Sequence, residues 1–224
     1  MDYIIIVAGG KGTRMGGDLP KQFLTIGGTP VLMRTIQAFH DYDPKLHIIV
    51  VLPHDQQDYW RQLCADRHFT IAHDIADGGA TRFESSQRGL ALVPADEEGV
   101  VGFHDGVRPF VSADTIDRCF EAAREEYAAL PVMPVTDTLR FTGGSSAGRN
   151  VPRSDYRIVQ TPQVFDISLA KQAFAQPYRD TFTDDASVVE SLGCQVHMVE
   201  GNRENIKLTT PFDLELADFI ISRQ

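Results

Sequence analysis

The sequence predicts an α/β protein built on a doubly wound, mostly parallel β-sheet. Short apolar runs of strand length, such as residues 3–8, alternate with longer amphipathic segments of helical period. Wholly apolar runs indicate strands buried on both faces, and their alternation with helices indicates right-handed crossovers between parallel neighbours. A chain of 224 residues suits one such domain, so we expect a single, Rossmann-like domain over residues 1–224.

The elements follow one another from the first residues. Residues 3–8 predict a central strand, which a glycine-rich loop follows directly. Thr29 and Pro30 predict the N-cap and first turn of the next helix. Further strands are predicted at 46–52, 69–72, 100–103, 130–135 and 195–199, and further helices at 54–67, 82–92, 112–127, 168–176, 184–192 and 211–222.

The regular alternation breaks over residues 137–156. This segment is polar, and its middle, residues 142–148, is rich in glycine and serine. About twenty residues without a helix or core pattern is long for an internal loop. The segment is either a mobile insertion or a hairpin that projects from the domain.

Composition narrows the range of functions. The chain has 31 acidic and 21 basic residues and a net charge of −10, which disfavours broad nucleic-acid binding. It has no basic leader before the first strand and no apolar stretch near the ~20 residues of a membrane span, so we expect a cytoplasmic protein without membrane association. A phosphate-bearing ligand therefore requires a local cluster of donors.

The strongest chemical signal is the segment after the first strand, with the sequence AGGKGTRMG at 8–16 and PKQF at 20–23. Glycines directly after a buried strand allow backbone N–H groups to approach an anion closely. Lys11, Arg14 and Lys21 add three cations. The dinucleotide-binding pattern would require glycine at Met15, and a P-loop would require serine or threonine at Gly12. The segment indicates a phosphate-binding loop of another kind.

A second signal is Asp105, which follows the predicted strand 100–103. Its carboxylate is expected at the carboxyl edge of the sheet, where open α/β folds bind ligands. Mg²⁺ suits this position, because it takes one or two protein carboxylates and completes its octahedron with waters and phosphates. Taken alone, the His-Asp-Gly motif at 104–106 is more typical of a turn.

Together these motifs resemble the signature of the sugar-phosphate nucleotidyltransferases. The Lys-Gln-Phe version at 21–23 resembles the cytidylyltransferases that act on methylerythritol phosphate and ribitol phosphate. The resemblance covers nearly the full chain, because six further segments follow in the family's order: Gly78-Gly79 with Arg82 and Ser85, HDGVRP at 104–109, Asp137-Thr138, QTPQ at 160–163, TDDA at 183–186 and Asn205-Ile206-Lys207. It implies the nucleotidyltransferase fold, CTP and a small polyol phosphate as substrates, pyrophosphate release and Mg²⁺ as cofactor.

The resemblance also implies site residues. Arg14 and Lys21 are expected to stabilise the pentavalent transition state, and Arg153 and Lys207 to position the acceptor's phosphate. The implied CTP-binding residues are Ala8, Gly9, Gly10, Lys11, Gly12, Thr13, Gly79, Arg82, Ser85 and Asp105, and the implied acceptor-binding residues are Asp105, Arg108, Thr138, Arg153, Thr161 and Lys207. The implied metal ligand is Asp105.

Residues 137–156 match the family's β-arm, which embraces a second subunit and brings Thr138 and Arg153 to the partner's acceptor site. A two-fold homodimer is therefore expected. This chain departs from the family at Ala80, where close relatives often have an acidic residue that takes part in base recognition, and in the glycine- and serine-rich tip of the arm.

Three functions remain open from the sequence. Methylerythritol phosphate is favoured as the acceptor by the Asp-Thr pair at 137–138, the TDDA run and the short arm. Ribitol 5-phosphate is the first alternative. A non-catalytic, nucleotide-binding regulatory module is the second, since a fold alone does not prove activity. The joint presence of Arg14, Lys21, Asp105 and Lys207 argues against that module.

Overall fold

A mostly parallel β-sheet with helices on both faces forms the centre of the molecule, as predicted. The computed structural model describes residues 1–9, 19–144 and 148–223. The described strands are β1 Tyr3–Val7, β2 Thr25–Ile26, β3 Thr29–Pro30, β4 His47–Leu52, β5 Asp74–Asp77, β6 Val100–Asp105, β7 Ala128–Pro134, β8 Leu139–Phe141, β9 Arg149–Val151, β10 Arg157–Val159, β11 Gln163–Asp166 and β12 His197–Glu200. The described helices are α1 Val31–Tyr42, α2 His54–Asp66, α3 Arg82–Leu90, α4 Ala113–Glu126, α5 Ile167–Phe174, α6 Asp185–Glu190 and α7 Pro211–Ile221. None of these helices combines the length and apolar character needed to cross a membrane.

Eight of the described strands form one sheet with β1 near its middle. β1 pairs in parallel with β4 on one side and β6 on the other, and β5 extends the sheet beyond β4. β11 lies between β6 and β7 and runs antiparallel to both, so β6 and β7 point the same way. β7 also pairs in parallel with β12 and antiparallel with β10. The carboxyl ends of β1, β4 and β6 therefore meet at one edge of the sheet.

Burial on both faces explains why β1 is apolar at every position. Ile4 and Ile6 lie in a core cluster with residues of α1, α2 and α4, whereas Ile5 lies in a second cluster with residues of α3, α5 and α6. All three isoleucines are completely buried. A polar side chain at any of these positions would face one of the two cores, so the apolar run is typical of a central strand.

One predicted strand, at 69–72, is wrong. The third parallel strand of this half of the sheet lies later, at Asp74–Asp77, and pairs with β4. Phe69 packs its ring 6.2 Å from Trp60 of α2. The apolar pattern at 69–72 therefore reflects packing against α2, whereas the strand itself lies at the edge of the sheet and carries aspartates at both ends.

The predicted start of α1 is also wrong. Thr29 is not an N-cap, because Thr29 and Pro30 form β3 and pair with β2. α1 begins at Val31, and no side chain caps it. The sequence prediction also lacks β11, whose continuous apolar run is only Val164 and Phe165.

Residues 137–156 contain a hairpin, one of the two alternatives for this segment. β8 and β9 pair antiparallel, with Leu139 opposite Val151, and form a two-stranded sheet of their own. Residues 145–147 of the glycine- and serine-rich connection lie outside the described part of the chain. A dimerising role for this arm remains a prediction, as does a single domain over 1–224.

Candidate active site

A cavity of about 260 Å³ opens at the carboxyl edge of the sheet, beside the ends of β1 and β6. Eight residues predicted from the sequence line it: Ala8, Gly9, Lys21, Gly79, Arg82, Ser85, Asp105 and Lys207. These residues come from segments far apart in the chain, and the parallel sheet brings them together. The sequence-predicted residues Gly10, Lys11, Gly12, Thr13 and Arg14 lie outside the described residues.

Close packing between two strand ends forms the floor of the cavity. The Ala8 N–H donates to the Val51 carbonyl at 2.9 Å, and the Gly106 N–H donates to the Val7 carbonyl at 2.9 Å. A Cβ atom on Gly106 would lie 2.8 Å from the Cβ of Ala8. Glycine is required there because the chain leaving β6 passes directly against the chain leaving β1.

The N-terminal turn of α3 forms a second wall. Thr81 caps this helix by accepting from the Glu84 N–H at 3.1 Å, and the Glu84 carboxylate accepts from the Ala80 N–H at 2.6 Å. The Ser85 hydroxyl accepts from the Gly79 N–H at 3.0 Å. A Cβ atom on Gly79 would lie 2.3 Å from the Cβ of Glu84, so this loop needs glycine. Capping bonds therefore hold the backbone that faces the cavity.

Asp105 is the charged residue at the centre of the site, and only 7% of it is exposed. Its Oδ2 lies 3.0 Å from Nε of Arg108 and 3.1 Å from Nζ of Lys207, and its Oδ1 lies 3.5 Å from Nη2 of Arg82. Burial acts to raise the pKa of this carboxyl, but the three cations outweigh it and hold the pKa far below its usual range. Asp105 is therefore ionised at neutral pH.

Arg82 joins the pocket to a second carboxylate behind it. Its Nη2 lies 2.7 Å from Oδ2 of Asp185, which the Ser86 hydroxyl also contacts by donating to Oδ1 at 2.6 Å. Burial acts to lower the pKa of Arg82, but Asp185 and Asp105 raise it above its ordinary value. The guanidinium therefore stays charged at the pocket wall, where 27% of its side chain is exposed.

Lys21 reaches the pocket from an anchored turn. It begins a 3₁₀ helix, Lys21–Phe23, in which Gln22 donates to the Gln56 side chain at 2.7 Å and Phe23 stacks 6.0 Å from Trp60. These contacts fix the lysine's backbone against α2. With Arg82, Arg108 and Lys207, the described site has four cations against the ionised carboxylate of Asp105 and the buried carboxyl of Asp185, whose pKa burial raises although Arg82 acts to lower it. Although the chain is acidic overall, this edge favours a polyanion.

One carboxylate oxygen is suited to a metal. Two cations lie within about 3.1 Å of Oδ2 of Asp105, whereas Nη2 of Arg82 lies 3.5 Å from Oδ1. In the described part of the chain, no group of three or more His, Cys, Asp or Glu residues is placed to hold a metal. The donor set therefore fits Mg²⁺ that takes one protein oxygen and completes its shell with phosphates and waters.

His104 is a structural member of the site that sequence reasoning did not single out. The imidazole is fully buried, and its Nε2–H donates to the Arg108 carbonyl at 3.0 Å. Nδ1 therefore accepts from the Thr161 hydroxyl at 3.0 Å, and that hydroxyl accepts from the Asp105 N–H at 3.2 Å. The neutral ring thus joins three segments around Asp105.

The neutral form of His104 predicts acid sensitivity. Burial lowers its pKa from 6.5 to about 4, so between these values the unfolded chain binds a proton that the folded chain lacks. The contribution of the neutral His104 to the free energy of unfolding should therefore be fully present above pH 6.5. The free energy of unfolding should fall by about 3 kcal/mol as the pH drops to 4. Denaturant unfolding across this range measures the slope. His104→Asn keeps an acceptor towards Thr161 and should remove the part of the pH dependence that His104 causes. Parallel curves of unfolding free energy against pH for the two proteins would contradict this role of His104.

The remaining predicted residues lie outside the cavity wall. Arg108 lies behind Asp105 and donates to the Asn205 carbonyl at 2.8 Å. The Thr161 hydroxyl is hydrogen-bonded to His104 and to the Asp105 N–H. Thr138 and Arg153 are exposed on the arm, and the Arg153 side chain donates to the Thr136 carbonyl. The structure does not bring these two residues to the pocket of the same chain. Their proposed roles in acceptor binding remain predictions.

Together, an open α/β sheet and a cation-rich pocket at its carboxyl edge form the arrangement expected of a nucleotidyltransferase. The family model described as IspD, 2-C-methyl-D-erythritol 4-phosphate cytidylyltransferase, matches residues 3–223, and the chain belongs to this family. The resemblance inferred from the motifs is confirmed.

Individual relatives agree with this assignment. A 2-C-methyl-D-erythritol 4-phosphate cytidylyltransferase of Phocaeicola vulgatus is 59% identical, over 98% of this chain and 99% of its own length. The Bacteroides thetaiotaomicron protein of the same name is 56% identical, over 97% of this chain and 98% of its own. The crystal structure of the Thermus thermophilus enzyme of that name matches with a TM-score of 0.77 and 35% identity, over 99% of this chain and 100% of that one. The 4-diphosphocytidyl-2C-methyl-D-erythritol synthase of Anaerococcus prevotii matches with a TM-score of 0.83 and 27% identity, over 99% and 96% of the two chains.

Proposed function

We propose that the chain transfers CMP from CTP to 2-C-methyl-D-erythritol 4-phosphate and releases pyrophosphate, a step of the non-mevalonate route to isoprenoid precursors. The observation that carries this proposal is the grouping of Lys21, Arg82, Asp105 and Lys207 around one pocket in a chain of this family. A polyphosphate needs several cations in one partly buried place, and this pocket provides them.

The reaction needs alignment more than proton transfer. A phosphate oxygen of the acceptor attacks the α-phosphorus of CTP, and the bond from that phosphorus to the bridging oxygen breaks, so that pyrophosphate leaves. The acceptor is a phosphate monoester with a second pKa near 6, so it is largely dianionic at neutral pH and needs no general base. Catalysis consists of holding the reacting groups in line and stabilising the negative charge of the transition state.

The position of each described pocket residue indicates the part of the substrates that it would contact. Lys21 and Lys207 lie on the pocket wall, where their ammonium groups are suited to neutralise charge on the α-phosphate and the acceptor phosphate. Arg82 offers a guanidinium fork for phosphate oxygens. The backbone at Gly9 and Gly79 is suited to the cytosine base, and in this chain Glu84 holds the neighbouring Ala80 N–H.

Mg²⁺ is part of the proposal. Asp105 would hold the ion through Oδ1, together with oxygens of the triphosphate. When bound, the ion neutralises phosphate charge and favours departure of pyrophosphate. Lys207 and Arg108 keep the other oxygen of Asp105 occupied, so the carboxylate would present one oxygen in a fixed direction.

The proposal includes a cytoplasmic homodimer in which the arm completes the partner's acceptor site. Ile158 and Val159 of β10, and Phe141 of the arm, are large apolar side chains that are more than 40% exposed. Exposed apolar groups beside an arm are suited to contact with a second copy.

Arg153→Ala tests the arm. We expect KM for methylerythritol phosphate to rise about 10-fold or more, because a charged hydrogen bond to the acceptor's phosphate is lost, while Kd for CTP stays unchanged. Steady-state kinetics and CTP calorimetry measure the two quantities. Arg140→Ala, another arginine of the arm, is the matched control and should affect neither. Normal acceptor kinetics for Arg153→Ala would refute the role.

A pyrophosphate-release matrix tests the function. CTP, UTP and ATP are each combined with methylerythritol phosphate, ribitol 5-phosphate, glycerol phosphate and a hexose phosphate, with and without Mg²⁺. We expect release only with CTP, methylerythritol phosphate and Mg²⁺. Preference for ribitol phosphate would select the first alternative, absence of release with every pair would support a regulatory module, and turnover of UTP with a hexose phosphate would overturn the assignment.

A further inference from the structure

The guanidinium of Arg82 lies between two carboxylates at unequal distances. Its Nη2 is 2.7 Å from Oδ2 of Asp185 but 3.5 Å from Oδ1 of Asp105. Its Nη1 also donates to Oδ1 of Asp185 at 3.2 Å. The Nη1 contact is a hydrogen bond and the Nη2 contact is a close ion pair, so two contacts to one carboxylate restrict both the position and the direction of the guanidinium. Asp185 therefore determines where the guanidinium lies.

Asp185 is itself held firmly and does not line the pocket. It is 1% exposed and accepts from the Ser86 hydroxyl at 2.6 Å. It is the first residue of α6, and Gln163 fixes this helix start by accepting from the Ala186 N–H at 2.7 Å and donating to the Asp184 carboxylate at 2.8 Å. The TDDA and QTPQ segments thus join behind the site.

The contact with Asp185 keeps the Arg82 guanidinium away from Oδ1 of Asp105. Arg108 and Lys207 lie 3.0 and 3.1 Å from Oδ2, whereas Arg82 lies farther from Oδ1, at 3.5 Å. Coulomb attraction increases as two charges approach. Without a charged partner at Asp185, the guanidinium would therefore move onto Oδ1 of Asp105 and leave the position suited to phosphate.

We propose that Asp185 is a positioning residue that holds Arg82 at the pocket wall for the phosphates of CTP and keeps it off Oδ1 of Asp105. This inference rests on the proposed function, in which the pocket binds CTP. Asp185 does not touch the nucleotide and acts through the guanidinium alone.

Asp185→Asn tests the proposal, because it removes the charge while keeping the shape and a partner for Ser86. We expect Kd for CTP, measured by calorimetry without acceptor and both with and without Mg²⁺, to rise about 10- to 100-fold. The matched control is Asp166→Asn, the same change at the start of α5. Asp166 lies opposite Val100, at the other end of β6 from the pocket, so its Kd should equal that of the unaltered protein.

A double-mutant cycle separates positioning from general structural support. In an Arg82→Gln background, adding Asp185→Asn should leave Kd for CTP unchanged and should raise Tm, because it removes a buried carboxylate that has lost its partner. An equal rise in Kd in both backgrounds, or an unchanged Kd in the single variant, would overturn the proposal.

A second variant covers the case in which Arg82→Gln fails to fold. Ser86→Ala removes the hydrogen bond to Asp185 and the longer one that Ser86 accepts from Nη1 of Arg82 at 3.3 Å, but it leaves both charges in place, so Kd for CTP should rise about 2- to 5-fold. An unchanged Kd would overturn the proposal. If the unaltered protein binds no CTP, the proposed function fails; if it binds CTP and the Asp185 and Ser86 variants bind equally well, only the positioning role fails.

Discussion

Asp105→Asn is expected to reduce kcat by roughly 10²- to 10³-fold at saturating CTP. The amide keeps the shape of the side chain but removes the negative charge that organises Arg82, Arg108 and Lys207. It also weakens the oxygen proposed for Mg²⁺. Single-turnover kinetics over a range of Mg²⁺ concentrations measures the effect. Asp77→Asn, at the end of β5 on the same sheet edge but outside the pocket wall, should leave kcat unchanged.

The same variant should also be less stable at neutral pH. Breaking a buried ion pair costs about 3–5 kcal/mol, and we expect about 2–4 kcal/mol here because the Lys207 side chain is 42% exposed and screened by water. The cations lower the pKa of Asp105 in the folded state, so its contribution is complete above the unfolded pKa and is lost as the pH falls towards the folded one. The difference from the unaltered protein should therefore shrink below about pH 4. A difference that is constant down to acid pH would contradict this account.

Lys21→Ala is expected to lower kcat by roughly 10²- to 10³-fold with the fold intact, because one electrostatic donor to the transition state is lost. Lys21 is half-buried at the pocket wall, and its turn is fixed by Gln22 and Phe23, so the truncation should leave the backbone in place. Steady-state kinetics and circular dichroism measure the two effects. Lys45→Ala, an exposed lysine before the start of β4, should change neither. A folded Lys21→Ala protein with normal turnover would remove Lys21 from the mechanism.

Strands buried on both faces could be predicted from the sequence, and other strands could not. β1 and β4 are apolar at nearly every position because each faces two cores. β5 is an edge strand bounded by Asp74 and Asp77, which pair with His47 and His54, so its pattern is polar. β11 has only two consecutive apolar residues, although it occupies the middle of the sheet. Burial set by distant neighbours is not visible in a local pattern.

The candidate site shows the same limit. Lys21, Asp105 and Lys207 could be placed at one edge because each belongs to a recognisable segment, and the sheet brings these segments together. Asp185 and His104 also belong to motifs of the sequence, TDDA and HDGVRP. Their roles, however, depend on the side chains of Arg82 and Thr161, which are 103 and 57 residues away in the chain. Such contacts follow from the tertiary arrangement of β6, α3 and α6, which spacing in a single sequence does not provide.

We expect CTP to react in the pocket at the ends of β1 and β6. A crystal structure with Mg²⁺ and a CTP analogue that carries a methylene group between the α- and β-phosphates tests it most directly. We expect the α-phosphate to lie between the ammonium groups of Lys21 and Lys207, and the triphosphate to lie within reach of Arg82. An analogue bound instead in the larger cavity of about 530 Å³ beside Met33 and Phe110, with this pocket empty, would contradict the account.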